Sequence, residues 1–265
     1  MELVSLGSGS KGNSTYVQIN GLHFLIDAGL SRTKIERNLL IEAGIDLDDI
    51  SMVFITHSHS DHIKGLPVML KKHRHIKYVF PPGVLEEVTQ KLKLHIPEEL
   101  RVEVGKHGLK GSVMNVEIDR LNHDVPCYAF KFFSKDGKGL YAHIADNGGI
   151  PFKKWKEYQG FKYYTIESNH DKTMQILSEK REPILKRRVL NFYGHTDNVH
   201  AIEMAIYVST FATEGIMFNH LSDECNTPEL AKETHDKFIE IFGEKEKFRE
   251  IKTVYATQDD IVRLA

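Results

Sequence analysis

Cysteine is almost absent: the 265 residues contain two, Cys127 and Cys225, far apart and outside any CxxC pair. No disulfide framework and no thiolate zinc site can be assembled from them, and such sparing use fits a reducing compartment. Long apolar runs are missing as well. No stretch nears the roughly 20 residues that span a bilayer, and the opening MELVSLGSGS has no basic flank leading into an apolar run, so no signal peptide is expected. Positive charge is not in excess. Lys and Arg number 35 against 37 Asp and Glu, a formal net charge of -2, so no global basic field marks nucleic acid as the partner; a local basic groove remains compatible with that balance. Low-complexity segments and short-period repeats are lacking too. A protein of this kind is expected in the cytoplasm, off the membrane.

What is present is an ordinary globular composition, 41% hydrophobic and 27% charged, enough to bury a core in one large domain or two fused halves. Short apolar runs bounded by Gly, Pro, Asn or Asp read as strands: MELVSLG, STYVQIN, LHFLIDAG, SMVFITH, YVFPP, YAFKFFS and GLYAHIADNG. Residues 31–43, 63–74, 83–93, 198–212 and 228–242 carry apolar positions three and four apart, as half-buried helices do. Strands followed by helices, then the same again after about residue 110, predict an α/β fold of two sheets face to face with helices outside. The unit is a single domain, 1–265, made of two similar halves at about 1–110 and 111–265. KEKFRE reads as a solvated helix end, and His73 and His75 in KKHRH as an exposed one. GSGSKGNS at 7–14 looks like a phosphate loop but lacks the GK[ST] ending, which favours a glycine-rich turn between two strands.

The densest chemical signal is THSHSDH at 56–62, with three histidines and an aspartate directly after the strand SMVFIT. Alternate residues on extended chain point the same way, so His57 and His59 share one side. Asp61 and His62 fall at the start of the following helix, where neighbours diverge. One loop can therefore feed two adjacent cation positions, with ligand types that suit zinc or manganese. A chain with 15 histidines will produce chance pairs, but HxHxDH after an apolar strand is much harder to obtain by accident. Three further candidates sit at strand ends: His123 in RLNHDVP, Asp146 in YAHIADNGG, whose two oxygens can bridge cations, and His220 in IMFNHLS.

HxHxDH, a later lone His, an Asp before a glycine turn and a final His after a strand resemble the metallo-β-lactamase superfamily, over almost the whole chain. The resemblance implies a four-layer αββα sandwich with the metals at one edge of the sheets. It also implies a division of ligands: His57, His59 and His123 on one metal, Asp61, His62 and His220 on the other, Asp146 and a hydroxide bridging them. LIDAG places Asp27 where that family keeps an aspartate that supports the metal loop. LGSGSKGNSTYV, ESNHD at 167–171, LKRRVL at 185–190, GHTDN at 194–198 and NHLS at 219–222 are similar to the YycJ/WalJ-like group, described as bacterial DNA exonucleases. Ribonuclease Z and the phage phosphodiesterases that destroy cyclic CMP and cyclic UMP are related to it. In the ribonuclease Z-like branch a Glu and a downstream His act as a proton-donating pair; Glu167 and His195 match them, although TDN rather than ST follows the His. No long inserted arm for tRNA is visible.

These features point to a phosphodiesterase with two divalent metals, zinc or manganese, that uses a metal-bound hydroxide. Asp61, Glu167 and His195 are its catalytic residues, and His170 and Asn198 are weaker candidates for substrate contacts. Its substrate is a small cyclic nucleotide, towards which the charge balance leans, or DNA, towards which the motifs lean; the basic runs are KKHRH and Lys186-Arg187-Arg188. A thioesterase or lactonase on the same fold is the rival. Relatives of this type imply a homodimer in a bacterial cell, with a phage-encoded origin left open.

Overall fold

The structure is a computed structural model and describes residues 1–105 and 108–265. Its first sheet has the order β14-β1-β2-β3-β4-β5-β6 and its second β13-β12-β11-β10-β9-β8-β7. The first consists of β1 (Glu2–Gly7), β2 (Ser14–Ile19), β3 (Leu22–Ile26), β4 (Met52–Phe54), β5 (Lys77–Phe80) and β6 (Arg101–Glu103), closed at its other edge by β14 (Val262–Arg263). The second runs through β7 (Leu109–Lys110), β8 (Asn115–Arg120), β9 (Tyr128–Phe133), β10 (Gly139–Ile144), β11 (Tyr163–Glu167), β12 (Gly215–Asn219) and β13 (Lys252–Tyr255). Each sheet has three antiparallel pairings followed by three parallel ones.

Parallel pairing needs crossovers, and helices supply them. α1 (Arg32–Ala43) joins β3 to β4, α2 (Ser60–Ile63) and α3 (Leu66–Lys72) join β4 to β5, and α4 (Val84–Leu92) joins β5 to β6. In the second sheet α5 (Lys172–Leu177), α6 (Pro183–Leu190) and α7 (Asn198–Val208) lie between β11 and β12, and α8 (Pro228–Ile241) and α9 (Lys245–Glu250) precede β13. Ser31 caps α1 by accepting from Lys34 N, and Gly44 in the left-handed region ends it. The helix expected over 63–74 is divided in two. Gly65 donates to the carbonyl of Ala28 at 2.7 Å, and a Cβ there would stand 2.3 Å from Leu30 O, so the chain turns against the β3–α1 loop.

Strand alternation distributes the apolar side chains over three cores. Phe24, Ile26 and Phe54 point between the sheets, where they meet Phe130, Phe132 and Tyr141. Leu25, Val53 and Ile55 point the other way, under α1, α3 and α4. On the far side Ala142, Ile144, Tyr164, Ile166 and Phe218 pack beneath α7 and α8. The central strands are buried on both faces, as covered parallel sheets require, and the result is an αββα sandwich. Rings interlock at the seam, with Phe24–Phe54 centroids 5.2 Å apart and Phe54–Phe132 5.4 Å apart; truncating such a ring to Ala costs about 3–5 kcal/mol. No helix among the described residues is long and apolar enough to cross a membrane.

Candidate metal centre

The carboxyl ends of the parallel strands share one edge, which is where open α/β sheets form their sites. Three residues just past these ends take left-handed backbone: Asp27 (φ 61°), Asp146 (φ 50°) and His220 (φ 56°). A non-glycine residue in that region costs on the order of 1 kcal/mol or more and persists where its surroundings over-determine it. Here the turn swings each side chain off its strand into one shared space.

Asp27 organises the THSHSDH loop. Its Oδ1 accepts from the backbone of Thr56 at 2.8 Å, and its Oδ2 accepts from Thr56 Oγ1 at 2.8 Å and lies 2.7 Å from His62 Nδ1. Thr56 Oγ1 is also 2.9 Å from His57 Nδ1. Assigning protons by this network puts hydrogen on the Nδ1 of both rings and leaves each Nε2 for the interior. The loop is seated by close backbone contact. Asn13 N donates to Asp61 O at 2.7 Å and Gly29 N to Asn13 O at 2.8 Å. A Cβ on Gly29 would lie 1.5 Å from Asp61 O, so only glycine fits.

The side chains converge in two groups that share Asp146. His57, His59, His123 and Asp146 form one, and Asp61, His62, Asp146 and His220 the other; in each, the candidate ligand atoms lie within 4.8 Å of one another. A third overlapping group joins Asp146 and His220 to Glu167 and His195. Among the described residues, buried His57 Nε2, His220 Nε2 and Asp146 Oδ1 have no hydrogen-bond partner, a costly arrangement for a dry interior and the one expected where cations belong.

Protonation points the same way. Burial opposes charge on His220, yet Asp146, Asp61 and Glu167 raise its pKa to about 10. Burial likewise opposes charge on His62, which Asp146, Asp27 and Asp61 hold well above the usual imidazole range. Burial and the neighbouring rings keep His57 well below that range and bring His59 down to about 4. The carboxylates thus demand positive charge at this point, and divalent ions meet that demand with the same donors.

Glu167, fully buried at the end of β11, is the second organiser. Oε1 lies 2.7 Å from His195 Nδ1 and 2.9 Å from His220 Nδ1, while Oε2 accepts from the backbone of Asn147 and Thr196. Burial pushes its carboxyl up, but the charge and hydrogen bond of His195 and the hydrogen bond of His220 together outweigh this, and the pKa falls to about 2. His195 lines a cavity of about 470 Å³ together with His59, Asp61, His123, Asp146 and His220.

His170 and Asn198 stand outside that cavity. His170 lines a smaller one on the other side of His195, and the side chain of Asn198 accepts from Ser168 and Asn226 inside the fold. His73 corrects the expectation of an exposed helix end: it is buried, with Asp48 at 2.9 Å and Arg32 at 3.2 Å, because α1 and the turn before β4 cover it. His75 is exposed as expected. GSGSKGNS does link two strands, yet it also serves the centre. Asn13 Nδ2 is 3.3 Å from Asp61 and 3.0 Å from His62, and Ser8 Oγ accepts from His220 N at 2.9 Å. Asp124, next to His123, is a site residue that sequence reasoning misses; its Oδ1 is 3.1 Å from His59 Nε2 and its Oδ2 takes Arg188 at 2.7 Å.

Residues 7–124 match the Metallo-beta-lactamase superfamily. Exodeoxyribonuclease WalJ of Streptococcus pneumoniae (strain D39) is 33% identical over 232 residues, covering 86% of this chain and 84% of WalJ. Exodeoxyribonuclease YycJ of Bacillus anthracis is 33% identical over 244 residues, 90% of this chain and 89% of YycJ. Among solved structures, the metallo-beta-lactamase fold protein YhfI from Bacillus subtilis aligns with a TM-score of 0.67 over 99% of this chain and 100% of that one, at 13% identity, a likeness of fold.

Proposed function

Because the chain belongs to the metallo-β-lactamase superfamily, in the group of the YycJ and WalJ exodeoxyribonucleases, we propose that it is a metal-dependent phosphodiesterase that trims DNA from a strand end. The superfamily binds divalent metals, and the His/Asp cluster fits two of them. His57, His59 and His123 would hold one and Asp61, His62 and His220 the other, with Asp146 common to both. When bound, such ions supply Lewis-acid stabilisation of phosphate charge and a nucleophile at neutral pH; zinc or manganese is the proposed identity. A homodimer in the bacterial cytoplasm completes the reading.

The observation that carries it is the Glu167–His195 pair at the edge of the cation cluster, 2.7 Å apart. A sugar alkoxide is a poor leaving group and needs a proton as it departs. Glu167 accepts a hydrogen bond from Nδ1 and fixes the ring, which leaves the other ring nitrogen to deliver that proton. Thioesters and lactones leave with less help, and the pair argues against them. Lys91, Arg181 and Arg188 also line the cavity and can take flanking phosphates.

A cyclic mononucleotide is the second reading, favoured by the cavity itself. About 470 Å³ lies within the size range of small-ligand sites. The test incubates manganese-loaded protein with a mixture of 3′,5′-cyclic mononucleotides and 5′-phosphorylated duplex DNA in one tube. Shortened DNA with intact cyclic nucleotides is the expected result. Linear nucleotides with intact DNA would move the function to signal degradation, and no product from either would remove the phosphodiesterase reading.

A further inference from the structure

The segment between β11 and His195 departs from the rest of the surface. Leu177, Ile184, Phe192 and Tyr193 each leave more than half of their surface in water, and Ile176, Leu185 and Leu190 are exposed beside them. The same stretch, residues 172–193, carries six basic side chains and two acidic ones, a local excess of four positive charges in a chain whose net charge is -2. Among the described residues Lys172, Lys180, Lys186 and Arg187 make no ion pair within 4.0 Å. Exposed apolar side chains interleaved with unpaired cations suit neither a buried core nor a plain solvated face.

The position of the segment indicates its occupant. Arg181, Leu185, Arg188 and Tyr193 line the cavity that holds the candidate ligand cluster, so α6 and the residues on either side of it form part of the cavity wall. The rings of Phe192 and Tyr193 are 5.8 Å apart at 80° to one another and both are open to solvent. Their loop is held firmly. A Cβ on Gly148 would come within 2.0 Å of Phe192 O, and one on Gly194 within 2.1 Å of Val189 O. Two rings fixed on a tight backbone lose little freedom when a ligand stacks on them.

We propose that residues 172–193 form a platform for a single DNA strand running out of the cavity, with bases stacked on Phe192 and Tyr193 and phosphates on Lys180, Arg187 and Arg188. The proposal rests on the nuclease reading above and deepens it. Single strands are held by this pairing of aromatic faces with a basic track, tolerant of sequence, whereas a cyclic mononucleotide fills the cavity and has no use for a surface beyond it. It also supplies the local basic track that the overall charge hides.

The test uses manganese-loaded protein and a short phosphorothioate single strand that resists cleavage, with binding followed by fluorescence anisotropy over a salt series. Phe192→Ala is expected to weaken binding about tenfold. Lys180→Ala combined with Arg187→Ala is expected to lower the slope of log affinity against log salt by about 1.4, at roughly 0.7 for each phosphate no longer neutralised. Melting temperature and bound metal, measured on each variant, establish that the fold is intact. Affinity and slope equal to those of the unaltered protein would overturn the platform while DNA cleavage by that protein still supported the nuclease reading. Weakened binding that accompanies conversion of a dimer to a monomer in sedimentation would overturn it too, by assigning the face to a second copy. Intact DNA after incubation with the unaltered protein would remove the nuclease reading itself, and the platform with it.

Discussion

Nδ1 of His195 lies 2.7 Å from Oε1 of Glu167, a carboxylate fully buried at the end of β11. That contact defines the first prediction. His195→Ala is expected to keep its bound metal and lose about 10²–10⁴-fold in kcat on DNA. On bis(p-nitrophenyl) phosphate, whose leaving group departs without a proton, the loss should stay below about tenfold. Steady-state rates on both substrates decide the matter, and equal losses would reject the role of proton donor.

Asp27 touches no candidate ligand atom that faces the cluster, yet it holds His62 directly and His57 through Thr56. Asp27→Asn is expected to weaken metal affinity roughly 10–100-fold, as removal of a ligand-orienting carboxylate does. His59→Ala and Asp61→Ala should go further, losing metal and hydrolysis together. Competition against a fluorescent chelator ranks the three; an Asp27→Asn protein with undiminished affinity would discard the orienting role.

Gly29→Ala places a methyl group 1.5 Å from Asp61 O. Backbone lies on both sides, so the loop itself must move, and overpacking of this kind costs about 1–3 kcal/mol or more. Urea unfolding should show that loss together with reduced metal content. Gly105→Ala, with no atom of the described residues within 4 Å of the added Cβ, serves as the contrasting substitution and should change the midpoint little.

His235 is packed against Phe218, bonds Tyr255 OH at 2.9 Å and Ser168 Oγ at 3.2 Å, and is driven by burial from 6.5 to a pKa of about 3. The unfolded chain therefore binds a proton between about pH 3 and 6.5 that the fold refuses. Its contribution to stability is complete above that window and is lost as pH falls through it, at up to about 1.4 kcal/mol per pH unit. His235→Leu forfeits two hydrogen bonds at neutral pH, but its deficit should shrink as the pH drops from 6.5 towards 4. Denaturant midpoints across that range check the slope; parallel curves for both proteins would show that His235 contributes none of it.

The strand runs, the helices α1, α4, α7 and α8 and the THSHSDH loop are legible in the sequence because each is a local pattern, of period two, of period 3.6, or of ligand types in a short span, whereas the short α5 and α6 carry too few turns to show a period. Glu167 and His195 are legible only through resemblance, since 28 residues separate them and neither stands in a local pattern. Asn13 escapes altogether. It sits in a glycine turn 48 residues from Asp61, and the two meet because Gly29 lets backbones approach, a tertiary event without a local trace. Asp124 offers a signal, an acid directly after a candidate ligand, but its role depends on where His59 and Arg188 arrive. His73 misleads for the opposite reason: its own helix faces water there, and the covering Arg32 and Asp48 come from elsewhere.

The proposed ligands enter the cluster from chain positions as far apart as His57 and His220, on strands of two different sheets. A chain still emerging from the ribosome can pair β1 to β4 and lay the histidine loop near its course, yet it lacks Asp146, the residue common to both candidate groups, and His220, which belongs to the second. Until those parts of the second sheet dock, any captured ion sits in an open, incomplete set. Each candidate cation group is therefore complete only when both sheets are in place, so metal content reports on the docking of the two halves.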